Sequence, residues 1–226
     1  MTLQDKTVRL SGARGMIAAK MVESLREAAQ LTHHGAADAT ALLAEKARLA
    51  EAGTKVSVED LLMLSVVRAL KRNPDANGRV EGKEVQLSAA IDLCVAIALP
   101  GNLLAAPAIF GAEAMSVEEL SAARQDLSSR AKTNKLSVKE MTGGTFTISN
   151  LGLTRVEQFT PIINAPQIAI LGIGRSTERA VKAEDGSVVF RPSIGLSFTF
   201  DHRAIDGAPA ADTLTAICEE IEAMGQ

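Results

Sequence analysis

The chain has 226 residues and is 46% hydrophobic, which is enough apolar material for one domain with a large core. Its 27 acidic and 24 basic side chains give a net charge of −3 without a basic block, so the composition disfavours a nucleic-acid partner. Charged residues or prolines interrupt every apolar run well before the ~20 residues of a membrane span, and the N terminus lacks a secretion signal, so we expect a cytoplasmic protein.

The first 13 residues predict an extended N-terminal arm. The arm contains the dipeptide Asp5-Lys6, which resembles the Asp-Lys pair that carries lipoate in lipoyl domains. That lysine lies in a hairpin inside an independent domain, whereas only four residues precede Asp5. We therefore do not expect Lys6 to be lipoylated.

Two helices are predicted in the segment after the arm. The first begins at Gly12 and carries an apolar stripe. The stripe consists of Ile17, Met21, Leu25 and Ala28. The second helix runs from a cap at Asp38 to about Ala52. His33 and His34 lie between the helices, but adjacent residues of a strand point to opposite faces and no further ligand is near, so a metal site is disfavoured.

Three Ser-x-x-acid segments predict helix starts, because a serine at the N-cap and an acidic residue three positions later satisfy two free backbone amides. These segments begin at Ser57, Ser116 and Ser137. The first of these helices is strongly apolar and ends before Pro74, the second spans 117–130, and the third is short.

Short apolar runs between Gly and Pro residues predict most of the strands. They cover 85–87, 91–99, 103–110, 168–174 and 188–190. Asp185-Gly186 predicts a hairpin turn between the last two. Cys94 lies in one of these strands and Cys218 on the apolar stripe of the last helix, so we expect both thiols to be reduced core residues. No Cys/His spacing typical of a metal site is present.

The most informative stretch begins with an alternating strand over 194–200, in which the apolar residues share one face. The strand leads into a charged cluster in which His202 stands between Asp201 and Asp206. An amphipathic helix then follows to the C terminus. His202 is therefore predicted to lie where a strand turns into a helix.

Three segments resemble the signatures of one enzyme family: 12–21 (GARGMIAAKM), 143–152 (GGTFTISNLG) and 201–207 (DHRAIDG). The family is the acyltransferase component of 2-oxoacid dehydrogenase complexes, whose catalytic domain is similar to chloramphenicol acetyltransferase. The resemblance implies an α/β fold, a two-layer sandwich of a mixed β-sheet with flanking helices, and a homotrimer. The match covers one catalytic domain, residues 1–226. Chains of this family usually carry lipoyl domains and a peripheral-subunit-binding domain ahead of it, and we expect neither kind of domain within these residues.

The same resemblance implies roles for individual residues. His202 is the general base that takes the proton of a thiol, which needs such a base because its pKa, near ~8.5, leaves it mostly protonated at neutral pH. Ser149 matches the serine that stabilises the oxyanion, and in this family it meets the histidine of a neighbouring subunit. Asp206 holds the histidine loop, while Asp201 and Arg203 shape the turn.

The implied substrates are coenzyme A, as an acyl-CoA thioester, and a dihydrolipoyl group that is carried on another domain or chain. Lipoyl-bearing protein and dehydrogenase subunits are the implied partners, no metal is expected, and the residues that bind coenzyme A are not identified. Residues 102–109 (NLLAAPAI) depart from the family's usual GLVVPVI. The sequence therefore does not determine the shape of the substrate channel, and three kinds of acyl group stay as alternatives: acetyl, succinyl and branched.

Two other functions stay open. One is transfer of an acyl group from coenzyme A to a small alcohol or amine, as in chloramphenicol acetyltransferase, and the closer match at GGTFTIS argues against it. The other is an inactive assembly core that recruits dehydrogenase subunits, and the presence of Ser149, His202 and Asp206 argues against inactivity. Cage-forming relatives end in a hydrophobic tail, whereas this chain ends IEAMGQ, so we expect a trimer rather than a cubic or icosahedral core.

Overall fold

The computed structural model describes residues 5, 7–101 and 103–226. Residues 1–4, at the start of the predicted arm, and Lys6 of the dipeptide lie outside the described residues. Six α-helices occur in the described part of the chain. They are α1 (Gly12–Glu27), α2 (Thr40–Glu51), α3 (Val58–Arg72), α4 (Val117–Lys132), α5 (Val138–Thr142) and α6 (Gly207–Glu222).

The strands of the described residues form one large mixed sheet and two small hairpins. They are β1 (Gln30–Asp38), β2 (Gly78–Glu81), β3 (Glu84–Leu87), β4 (Leu93–Val95), β5 (Ile97–Leu99), β6 (Leu103–Ala105), β7 (Ala108–Ile109), β8 (Phe146–Asn150), β9 (Ala169–Lys182) and β10 (Val188–Asp201). The large sheet has the order β1-β10-β9-β8-β4-β7. It is parallel from β9 through β8 to β4 and antiparallel elsewhere, while β2 pairs with β3 and β5 with β6.

The two faces of the large sheet differ in polarity because alternate residues of each strand point to opposite sides. One face carries Phe146, Ile148, Phe198 and Phe200, all fully buried in the core that α3 and α6 cover. The other face carries hydroxyl-bearing residues, including Thr199, and is crossed by residues 157–163. The predicted two-layer sandwich of a mixed sheet and flanking helices is confirmed.

All three predicted capping boxes are present, with both reciprocal hydrogen bonds formed at Ser57, Ser116 and Ser137. The predicted cap at Asp38 is wrong, because β1 continues through that residue and Ala39 is the N-cap of α2. The Asp38 carboxylate instead accepts a hydrogen bond from the Thr40 amide at 2.9 Å. A short polar side chain can therefore serve the turn before a helix as well as the cap itself.

Four of the predicted runs are divided or joined in the structure. The run 91–99 is divided between β4, in the large sheet, and β5, in a hairpin whose turn falls at Pro100-Gly101. The run 103–110 is divided in the same way between β6 and β7. The runs 188–190 and 194–200, in contrast, belong to the single strand β10. The strand continues through Pro192, although proline removes an amide donor.

The apolar stripe predicted on α1 is not a core surface in the single chain. Ser24 is the buried residue of this helix, whereas Leu25 is 55% exposed and Ile17 and Met21 are half-buried. The apolar periodicity of α1 is therefore not satisfied by contacts within one chain.

Candidate active site

His202 lies in the turn between β10 and α6, as predicted. Its backbone amide donates a hydrogen bond of 2.9 Å to the carbonyl of Ala29, the residue before β1. The imidazole ring centroid lies 5.7 Å from that of Phe200. The side chain is 43% exposed, so a rigid backbone presents an accessible imidazole.

The turn is fixed by the carboxylate of Asp201, the last residue of β10, which is 1% exposed. It accepts hydrogen bonds from the amides of Ala29 at 3.2 Å and Arg203 at 3.0 Å. The Arg203 guanidinium closes the ion pair at 2.6 Å, and this hydrogen bond raises the pKa of Arg203. The expectation that Asp201 and Arg203 shape the turn agrees with these contacts.

Asp206 is the N-cap residue of α6, and its side chain makes no capping hydrogen bond. Its Oδ1 lies 3.5 Å from Nδ1 of His202, and its side chain is 85% exposed. That distance is long for a hydrogen bond and suits an ion pair with a protonated imidazole. Asp206 thus faces the nitrogen on one side of the ring and leaves Nε2 free for another partner.

Ser149 lies near the end of β8, half-buried, on the sheet face opposite to that of Ile148. In the sheet register Ser149 pairs with Gly172, and Gly172 pairs with Ser197 of β10. His202 is five residues beyond Ser197 and two strands away from Ser149. With strands about 4.8 Å apart and about 3.3 Å of rise per residue, the separation within one chain is on the order of 19 Å.

The structure therefore brings Asp206 to His202 but does not bring Ser149 to either residue in the same chain. No atom of a thioester could touch both the imidazole and the hydroxyl at that separation.

A second group of residues beside Ser149 was missed by the sequence analysis. The amide of Asn150 donates to Glu59 at 3.1 Å, and its oxygen accepts from the Gly152 amide at 2.8 Å. Glu59 lies in the first turn of α3, 91 positions before Asn150. Its capping-box context predicts a helix start and carries no signal for a contact with a distant strand end.

A cavity of about 500 Å³ opens at this strand end. Its floor is apolar and includes Leu62, Ile173 and Ile194, while its rim carries Lys46, Ser57, Glu59, Arg124 and Asn150. Lys46 is half-buried, and its ammonium has no ion-pair partner among the described residues. Apolar walls with a few converging polar groups are typical of small-molecule sites.

Arg124 on the cavity rim is held by a buried carboxylate. Its Nε donates to Asp60 at 2.6 Å, and Asp60 is fully buried. Burial alone would raise the pKa of Asp60, but hydrogen bonds from Arg124 and Ser57 outweigh it, so the pKa of this carboxyl is lowered. Asp60 is therefore a charged, fully bonded anchor between α3 and α4.

The two histidines of β1 bind neighbours within the sheet. Nδ1 of His34 lies 2.9 Å from the Ser197 hydroxyl, and the His33 ring contacts Phe200 edge-on at 5.0 Å between centroids. No group of three potential metal ligands occurs among the described residues. Cys94 is buried and Cys218 half-buried, and both are unpaired. Across the same described residues, none of the helices has the length and apolarity that crossing a bilayer requires.

The fold is that of the chloramphenicol acetyltransferase class. A chloramphenicol acetyltransferase structure superimposes with a TM-score of 0.53, covering 90% of this chain and 92% of that chain at 15% identity. At that identity the likeness concerns the fold.

The chain belongs to the 2-oxoacid dehydrogenases acyltransferase (catalytic domain) family, whose model matches residues 2–226. It is 37% identical, over 96% of its length, to the probable dihydrolipoyllysine-residue succinyltransferase component of the mitochondrial 2-oxoglutarate dehydrogenase complex of Schizosaccharomyces pombe. The alignment covers 50% of that relative. The chain thus spans about half the length of the curated relatives it matches.

Two solved structures agree more closely than the chloramphenicol enzyme. A probable dihydrolipoamide acetyltransferase of Listeria monocytogenes has a TM-score of 0.89 at 31% identity, covering 96% of this chain and 94% of that chain. The dihydrolipoamide acetyltransferase of Azotobacter vinelandii has a TM-score of 0.88 at 29% identity, covering 97% and 92%. The latter structure concerns the role of a serine, a histidine and an asparagine in that enzyme's catalytic mechanism.

Proposed function

We propose that this chain is a single catalytic domain, residues 1–226, that transfers an acyl group between coenzyme A and dihydrolipoamide. The observation that carries the proposal is the accessible imidazole of His202 on a turn fixed by the buried Asp201–Arg203 pair. His202 acts as general base, Ser149 as oxyanion donor and Asp206 as the residue that orients the imidazole. The proposed residues follow the order serine, histidine, carboxylate along the chain: Ser149, His202 and Asp206. The structure of the Azotobacter enzyme concerns a serine, a histidine and an asparagine in the same order.

The reaction follows from the chemistry of these groups. Nδ1 of His202 faces Asp206, so Nε2 takes the proton of the attacking thiol. The thiolate sulfur forms a bond to the thioester carbonyl carbon, and the carbonyl oxygen becomes negatively charged. The Ser149 hydroxyl donates a hydrogen bond to this oxygen. Collapse of the intermediate breaks the original C–S bond, and the departing thiolate recovers the proton from the imidazolium.

We infer that the active site forms between subunits of a homotrimer. Ser149 and His202 are on the order of 19 Å apart in one chain, too far to share a thioester, so the serine must come from a neighbour. The exposed apolar residues of α1, such as Met16 and Val22, are available for a contact between chains.

The cavity at the end of β8 is the proposed binding site for coenzyme A. Its apolar floor suits the pantetheine and adenine groups, and Lys46 is a cation without an ion-pair partner among the described residues, which suits a phosphate. Asn150 lines this cavity and adjoins Ser149, so an acyl thioester bound there lies near the proposed oxyanion donor. The dihydrolipoyl group is supplied by another domain or chain.

Dehydrogenase subunits and a lipoyl-bearing protein are the proposed partners, and the cytoplasm is the proposed location. Two unpaired cysteines fit a reducing compartment.

The proposal is tested by incubating the purified chain with dihydrolipoamide and a panel of acetyl-, succinyl- and isobutyryl-CoA, with release of free coenzyme A as the readout. We expect S-acyl dihydrolipoamide to form with at least one donor and the His202→Ala variant to form none above background. A small alcohol or amine as a better acceptor than dihydrolipoamide would favour the alternative acyltransferase. A folded wild-type chain without activity toward any acceptor would favour an inactive core.

A further inference from the structure

Glu59 connects the helix layer to the strand end that carries Ser149. Its Oε1 accepts the hydrogen bond from the Asn150 side chain at 3.1 Å. Its Oε2 lies 3.3 Å from Nη1 of Arg124. The Glu59 side chain is 22% exposed. Because both oxygens have a partner, the carboxylate has a defined orientation in a partly buried setting.

Asn150, which is bonded to Glu59, directly follows Ser149 in the chain. Its side-chain oxygen accepts from the Gly152 amide at 2.8 Å, so one amide group ties α3 to the turn that ends β8. The backbone on either side is bonded within the sheet, through the Ile148 carbonyl at 2.9 Å and the Leu151 amide at 2.8 Å. Ser149 directly precedes this turn, so the geometry of residues 150–152 bears on the placement of its hydroxyl.

The orientation of Glu59 depends in turn on Arg124, which is fixed by a buried carboxylate. The Arg124 guanidinium that it faces is fixed by the fully buried carboxylate of Asp60, with Nε donating at 2.6 Å. Arg124 also reaches the Ser57 hydroxyl at 3.3 Å. A continuous chain of charge-assisted contacts thus runs from the α3–α4 interface to the end of β8.

We propose that Glu59 is a positioning residue for acyl transfer, acting through Asn150 on the hydroxyl of Ser149. The inference rests on the proposed function, because it presupposes that Ser149 donates to the oxyanion. Such a donor contributes only when it lies about 2.7–3.1 Å from the charged oxygen. Loss of the Glu59 contact should therefore lower kcat, which depends on the transition state. Because Glu59 also lies on the rim of the cavity proposed for coenzyme A, the KM for acyl-CoA can rise as well, but by a smaller factor than kcat falls.

A double-mutant cycle with Glu59→Ala and Ser149→Ala tests the proposal, using dihydrolipoamide and the acyl-CoA of the panel that is turned over fastest. Ser149→Ala should lower kcat on the order of 100-fold, and Glu59→Ala about tenfold. In the Ser149→Ala background, Glu59→Ala should cause no further loss, because the group it positions is absent. Glu59→Gln keeps an acceptor for the Asn150 amide and should recover most of the activity.

Glu118→Ala is the matched control. Glu118 holds the same position in the capping box of α4 as Glu59 holds in α3, is exposed, and has no hydrogen-bond partner among the described residues. The control removes the same favourable interaction of an acidic residue with a helix N terminus. We expect its kcat and KM to match those of the wild type.

Asn150→Ala cuts the same connection from its other end without removing a charge, and is expected to reproduce the loss of kcat even if Glu59→Ala does not fold. Multiplying effects in the double variant, or a raised KM with unchanged kcat, would show that Glu59 does not act through Ser149. A Ser149→Ala variant with wild-type kcat would contradict the oxyanion role in the proposed function and remove the basis of this inference as well.

Discussion

At the scale of single residues, the turn that carries His202 combines a fixed backbone with an accessible imidazole. The Ala29 carbonyl accepts the amide of His202, and the Asp201 carboxylate accepts the amides of Ala29 and Arg203, so the backbone of the turn is fixed. The imidazole itself touches Phe200 and faces Asp206, and it is otherwise accessible. We therefore expect the proposed base, His202, and the proposed orienting carboxylate, Asp206, to contribute unequally to kcat.

His202→Ala removes the proposed base, and we expect kcat to fall about 1000-fold, since general-base catalysis contributes 10²- to 10⁴-fold. Asp206→Ala removes a largely exposed carboxylate at 3.5 Å, and we expect a loss of about tenfold. Steady-state kinetics with saturating substrates measure both. Equal losses in two variants with native circular dichroism spectra would mean that Asp206 takes a direct part in proton transfer.

The site residues differ in how far a sequence can predict them. The position of His202 at a strand-to-helix turn follows from the periodicity of 194–200 and of the helix after Gly207, and the structure confirms it. Glu59 was not predicted, because its contact joins residues 91 positions apart and depends on tertiary packing alone. The residues around the cavity at the end of β8 were missed for the same reason.

At the scale of elements, local rules predicted the helices better than the strands. The capping boxes at Ser57, Ser116 and Ser137 are satisfied within four residues, so tertiary packing did not override them. The run 91–99 is apolar apart from Asp92, and its division into β4 and β5 comes from pairing, with β8 for β4 and with β6 for β5. Strand bounds depend on partners that periodicity does not reveal.

The Asp60 anchor between α3 and α4 predicts a stability that falls in acid. Asp60→Asn should lower the free energy of unfolding at pH 7 by about 3 kcal/mol, because it breaks a buried ion pair. The pKa of Asp60 is lowered in the folded state, so its contribution is present above the unfolded value of about 3.9 and is lost as the pH falls through the folded pKa. The difference between wild type and variant should therefore shrink from pH 7 to about pH 3.

Urea unfolding at fixed protein concentration measures this difference. Asp212→Asn, at an exposed carboxylate on α6, is the control and should stay close to the wild type. An Asp60→Asn variant as stable as this control at pH 7 would show that the ion pair contributes nothing to folding.

Residues 157–163 cross the large sheet so closely that a side chain at Gly174 or Gly195 should destabilise the protein. A Cβ added at Gly174 would lie 1.8 Å from the carbonyl oxygen of Glu157, and one at Gly195 would lie 2.1 Å from the same atom. Gly174→Ala should therefore lower the free energy of unfolding by about 2–3 kcal/mol through overpacking. Gly207→Ala, where nothing lies within 4 Å of the added Cβ, should not destabilise the protein. Thermal unfolding distinguishes the two variants, and equal melting temperatures would mean that the crossing segment can move away at little cost.

At the scale of the whole molecule, two observations indicate that one chain is not the working unit. The proposed base and oxyanion donor lie two strands apart, on the order of 19 Å from each other within one chain. The apolar residues of α1 are exposed or half-buried and are not part of the core of the single chain. Both features are explained if chains associate so that the β8 end of one faces the β10 end of the next. The predicted assembly is a closed trimer, and light scattering that shows a stable particle of 24 or more chains would contradict it.

Subunit complementation tests the shared site most directly. His202→Ala and Ser149→Ala chains are co-expressed in equal amounts, and mixed trimers are verified by native mass spectrometry. If each site takes His202 from one subunit and Ser149 from the next, every mixed trimer contains one intact site, and the population should recover about a quarter of wild-type activity. Mixed trimers no more active than either variant alone would place both residues of a site in the same subunit and contradict the account.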